Sequence, residues 1–98
     1  MPESEYTVIR RTVAVASSVG LHARPASLFA RAAADAGLAI TVTTATGRTA
    51  NAASILEVLS LGVHCGEVVT LSADGSGGSG AEAALADLVE LLSTDFDA

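Results

Sequence analysis

The stretch Gly20-Leu21-His22-Ala23-Arg24-Pro25-Ala26 constrains this chain most, because the hydrophobic period changes across it. Before it, residues 6–16 set Ile9, Arg11, Val13 and Val15 against Arg10, Thr12, Ala14 and Ala16, the period-two pattern of a half-buried strand, clearest over 9–16. After it, Ala26, Phe29, Ala33 and Ala36 recur at helical spacing, with Arg24, Ser27, Arg31 and Asp35 opposite and Gly37 as the stop. A helix is therefore expected over 23–36, its start placed directly behind the end of a strand.

The rest of the chain repeats this alternation of periods. Leu38, Ile40 and Val42 alternate with Ala39, Thr41 and Thr43, Ala45-Thr46-Gly47 turns, and residues 48–51 return, which makes a hairpin. Ser54 followed three residues on by Glu57 is a capping-box pattern that opens a short helix ending at Gly62. Ile55, Leu56, Val58, Leu59 and Leu61 are too many apolar residues for one core face across two turns, so some should be exposed. Residues 67–73 read as a strand with Val69 and Leu71 on one face, 74–80 as a flexible glycine-serine loop, and 81–92 as an amphipathic helix. That helix turns Ala84, Leu85, Leu88, Leu91 and Leu92 inward and Glu82, Asp87 and Glu90 outward. Residues 1–5 and 93–98 read as mobile tails. The order β-α-β-β-α-β-α predicts an α+β two-layer sandwich, one domain over 1–98, while periodicity leaves the sheet order open.

Only three of the 98 residues are aromatic, so the core must be built from Ala, Val, Leu and Ile. Eleven acids against five arginines and no lysine argue against a nucleic-acid partner, which requires basic residues to displace counterions. A single cysteine, Cys65, precludes an intramolecular disulfide and is compatible with a reducing cytoplasm. The acidic start lacks the basic and apolar regions of a signal peptide, and no apolar run reaches the length of a membrane span. A cytoplasmic protein without membrane insertion is expected.

The chemistry concentrates at His22. The first backbone N–H groups of a helix have no intrahelical partner and carry a partial positive charge, so a helix opening at Ala23 offers an anion site. Pro25 suits the first turn, where its missing N–H costs nothing. Arg24 brings a forked, permanently charged guanidinium that matches phosphate oxygens. A neutral imidazole nitrogen is nucleophilic near pH 7, and a phosphoryl group on it would meet the amides of Ala23 and Arg24 and the guanidinium of Arg24. On the local pattern alone, a polar cap at His22 and a solvated Arg24 explain the residues equally well.

Residues 20–26 resemble the active-site sequence of the bacterial HPr phosphocarrier family. The resemblance continues in order through Asn51-Ala52-Ala53-Ser54-Ile55-Leu56, Leu59-Ser60-Leu61-Gly62 and Val68-Val69-Thr70-Leu71-Ser72-Ala73-Asp74-Gly75, about residues 8–92. It implies an antiparallel sheet of order 1-4-2-3 with three helices on one face. It implies that His22 accepts a phosphoryl group from enzyme I of the phosphoenolpyruvate:sugar phosphotransferase system and passes it to sugar-specific A-domains, with no cofactor and no small-molecule turnover of its own. Regulatory proteins are further partners under this reading, and a monomer is expected. Arg24, Ser27 and Arg31 on the first helix, with Leu56 and Leu59 as the exposed pair of the second, would form the partner surface. Val19 departs from the Asn or Ser common two or three residues before the active histidine, and one extra residue separates His22 from Ser54.

Ser54 resembles a serine phosphorylated by a dedicated kinase in many members of the family, while N-capping alone explains it. The glycine-rich loop lacks the Lys-Ser or Lys-Thr of a phosphate loop. His64 and Cys65 lack further ligands at metal-binding spacing, so no metal is expected, and His64 reads as a solvated loop residue that the resemblance puts near His22. Two other functions compete: a regulatory docking module that does not need the imidazole, and a small-ligand-binding domain, for which no polar pocket is suggested.

Overall fold

The computed structural model describes residues 8–18, 20–74 and 80–94. The expected N-terminal tail, Val19, the glycine-rich part of the 74–80 loop and the last four residues lie outside that set. The elements are β1 (Val8–Ala14), α1 (Ala23–Asp35), β2 (Ile40–Thr44), β3 (Thr49–Asn51), α2 (Ile55–Ser60), β4 (Val68–Asp74) and α3 (Gly80–Leu92), in the expected β-α-β-β-α-β-α order.

One sheet of order β1-β4-β2-β3 holds all four strands, and every pairing is antiparallel. The periods decide which face is covered. Val13, Ile40, Val42, Ala50, Val69, Leu71 and Ala73 are buried on one side. On the other, register aligns Thr12, Thr70, Thr43 and Thr49 in a hydroxyl row across the sheet, with Arg10, Ser72, Thr41 and Asn51 in the next. These polar side chains are exposed or half-buried and favour contact with solvent, so this layer stays open while the helices cover the apolar one. Phe29 at the middle of α1 is fully buried, with Ala26 and Ala33 on the same stripe and Leu85, Leu88 and Leu92 of α3 beside it in one core. Ala36 is packed against this core rather than buried within it. Leu91 and Ala84 likewise lie at the margin of the α3 stripe.

β1 ends at Ala14 rather than at Ala16 because the ladder is interrupted there. The Gly66 amide donates to the Val15 carbonyl at 2.8 Å while the Val15 amide donates to the Glu67 carbonyl at 2.9 Å. Two residues thus oppose one, with Gly66 at φ 86°, the geometry of a glycine bulge. Past the bulge the Ala16 amide leaves the sheet and donates to the Leu92 carbonyl at the end of α3, 2.9 Å away. Ser93 and Thr94, expected in a frayed tail, still donate through their amides to Val89 and Leu91. Arg11 is exposed although its register partner Leu71 is fully buried and Val13, next on the same face of β1, is buried. Its guanidinium donates to the Arg10 carbonyl at 2.7 Å.

Candidate functional site at the start of the first helix

His22 occupies the N-cap of α1 in extended conformation, φ −93° and ψ −168°, and its carbonyl accepts the Ala26 amide at 3.0 Å as the first helical bond. Its imidazole makes no capping bond, so the usual work of a polar N-cap is not what this side chain does. The helix therefore opens with the amides of Ala23 and Arg24 ahead of any intrahelical acceptor, followed by Pro25, which has no N–H. No acidic residue lies in the first turn to neutralise the helix dipole. Ala23 and Arg24 are exposed and His22 is half-buried. Imidazole, first-turn amides and guanidinium thus belong to one helix end open to solvent.

That end is held from behind. The Leu21 amide donates to the Val63 carbonyl at 2.9 Å, and Gly20, at φ 76°, lies so close to the same segment that a Cβ would overlap the Val63 carbonyl oxygen and come within 2.9 Å of the His64 Cα. Only glycine satisfies both demands. Residues 64–67 form a turn closed by the Glu67 amide on the His64 carbonyl at 3.1 Å, while the Glu67 carboxylate accepts the His64 amide. The backbone of the second histidine is thereby brought against the residue two before His22, and its side chain and that of Cys65 are exposed. The Cys65 Sγ lies 3.9 Å from the Ala16 carbonyl.

Arg24, Ser27 and Arg31 are exposed along α1, as their spacing predicts. Leu28, 39% exposed, joins them and was not singled out from sequence. Ser27 and Arg31 line a groove completed by Ala53 and Ile55 at the start of α2. The expected exposed pair on α2 is corrected: Leu56 is 79% exposed, but Leu59 is half-buried against the core, and Ile55 is the second open residue. Residues 55 and 56 precede Val58, which takes the core-facing position of this six-residue helix, and Leu59 flanks it. The capping box is also only half formed. Ser54 Oγ accepts the Glu57 amide at 3.3 Å, but the Glu57 carboxylate accepts the Asn51 amide at 2.8 Å because the Ser54 amide is already donated to the Asn51 carbonyl at 3.0 Å. Arg48, which the sequence reading placed only in the hairpin, donates from its guanidinium to the Ser60 and Leu61 carbonyls at 2.6 and 3.2 Å, capping the other end of α2. Among the described residues no cluster of three metal-ligating side chains occurs, and no helix is long and apolar enough to cross a membrane.

Residues 9–94 match the family model described as "PTS HPr component phosphorylation site". The chain is 48% identical over 87 residues to the phosphocarrier protein HPr of Streptomyces coelicolor, covering 89% of this chain and 90% of that protein. Among solved structures it is similar to a phosphocarrier protein HPr from Bacillus anthracis, with TM-score 0.79 and 34% identity over 88% of this chain and 98% of that one. It is also similar to an HPr from Thermoanaerobacter tengcongensis, with TM-score 0.72 and 40% identity over 87% of this chain and 94% of that one.

Proposed function

Starting from the chain's membership of the HPr family of phosphocarrier proteins of the phosphotransferase system, we propose that His22 is its phosphoryl acceptor, loaded by enzyme I and unloaded onto sugar-specific A-domains. The observation that carries this reading is the N-cap imidazole that makes no cap, standing at a helix end whose first turn carries no acid. An imidazole nitrogen of His22 attacks phosphorus, a P–N bond forms, and the bond to the donor's leaving atom breaks with its electron pair. Charge on the transferring oxygens is stabilised by the Ala23 and Arg24 amides, which the helix backbone holds in place, and by the permanent charge of the Arg24 guanidinium. Transfer onward reverses the step, so the protein is unchanged after each cycle and needs no cofactor.

The partner surface consists of Arg24, Ser27 and Arg31 with Leu28, Ile55 and Leu56, cationic and apolar on a chain of net charge −6. Such a surface speeds encounter through charge and adds modest affinity through apolar contact. Leu59 supports it from beneath. Ser54, half-buried and engaged as the cap of α2, is a regulatory phosphorylation site only at the expense of that cap. The carrier works in the cytoplasm as a monomer under this reading. The test is incubation with phosphoenolpyruvate, magnesium and enzyme I, followed by intact mass. The protein gains one acid-labile phosphoryl group, His22→Ala gains none, and His64→Ala behaves as the parent. Acid-labile phosphate on His22→Ala overturns the assignment, and full signalling activity in that variant would favour a docking module.

A further inference from the structure

We infer that Arg48, far along the chain from the helix end that carries the chemistry, is a positioning residue for His22. The inference rests on the carrier reading above. Arg48 closes the β2–β3 turn: its carbonyl accepts the Thr44 amide at 2.8 Å, and its own amide donates to the Thr44 hydroxyl at 3.1 Å. The side chain therefore departs from a fixed backbone. Its guanidinium spans to the last carbonyls of α2, Ser60 at 2.6 Å and Leu61 at 3.2 Å, where a cation is favoured by the helix dipole. Directly after those carbonyls come Gly62, in left-handed conformation at φ 63°, and Val63. The Val63 carbonyl is the acceptor for the Leu21 amide, and the same segment packs on Gly20. The end of α2 that Arg48 ties to the hairpin is thus the anchor of the two residues before His22. A six-residue helix is too short to hold its own end in place, which gives the guanidinium a job beyond its modest surface energy.

Arg48→Ala and Arg48→Lys are compared with the parent by amide hydrogen exchange and by the kinetics of phosphoryl acceptance from enzyme I. Arg48→Ala exchanges the Leu21 amide faster while β4 amides keep their protection, and the limiting rate of acceptance falls about tenfold with KM within about twofold, because the imidazole is displaced and docking is not. Lysine, which keeps a donor and the charge, recovers part of both effects. The inference is overturned by Leu21 exchange that is unchanged or that rises in step with β4, by a rise in KM alone, or by lowered melting temperature with both kinetic constants intact. Should the parent itself accept no phosphoryl group, the carrier reading fails, while the exchange comparison still decides whether Arg48 holds Leu21.

Discussion

At the scale of single residues, geometry separates groups that act from groups that place them. Arg24 is exposed in the first turn of α1 and belongs to no core, so its loss should be felt in rate. Arg24→Ala is expected to slow phosphoryl acceptance by about 10²–10³-fold, the scale for removing a charge-stabilising donor, with stability changed by less than about 0.5 kcal/mol. Parallel loss of rate and melting temperature would identify a structural arginine instead. Gly20 has the opposite character. An alanine there must adopt a positive φ and push its Cβ into the Val63 carbonyl, so Gly20→Ala should cost about 1–3 kcal/mol in denaturant unfolding and expose the Leu21 amide to exchange. The local sequence around His22 suggested an anion site, but whether its imidazole caps the helix was decided by the tertiary structure, since a capping and a non-capping histidine have the same neighbours in sequence.

At the scale of elements, α2 is the informative case. Its sequence showed more apolar residues than one face can bury, and the structure leaves Ile55 and Leu56 open while Val58 and Leu61 enter the core. Leu56→Ser should therefore alter unfolding free energy by less than about 0.5 kcal/mol and still weaken transfer to partner domains. Leu59→Ser, by contrast, should lower stability by more than Leu56→Ser, because it removes a side chain packed against the core. Measuring both by denaturant midpoint separates surface from support; equal losses would refute the assignment of Leu56 to the docking face. The strand ends follow the same logic. The boundary of β1 moved from 16 to 14 because a bulge formed with a segment some fifty positions away in the chain, which no local period can announce.

The whole molecule is a one-sided sandwich whose core contains a single aromatic side chain among the described residues, Phe29. The rest of that core is aliphatic and already close-packed, so its neighbours have little freedom to fill the void Phe29 would leave. Phe29→Ala should cost about 3–5 kcal/mol, read from thermal or denaturant unfolding, a large share of what a domain of this size has to lose. Both sheet edges are also managed. At β1 the Arg11 guanidinium engages the Arg10 carbonyl, and at β3 the Glu57 carboxylate and the Ser54 amide engage the amide and carbonyl of Asn51. Such side-chain and loop cover discourages pairing with another chain's strand.

The sequence alone determined the order and kind of the seven elements, the apolar stripe of α1, the exposure of Arg24, Ser27 and Arg31, and the position of His22 at a helix start. These are local consequences of period, capping chemistry and turn residues, each legible within a few positions. The sheet order 1-4-2-3 came from resemblance to a family, since periodicity says which side of a strand is buried but not which strand lies beside it. Tertiary structure decided what depends on distant partners: the bulge at Gly66, the redirected Glu57, the burial of Leu59, the reach of Arg48 to α2, and the packing of Val63 and His64 on Gly20. Each is a contact between segments whose separation along the chain carries no trace in local composition, because hydrogen-bond partners and packing neighbours are chosen only once the layers have closed.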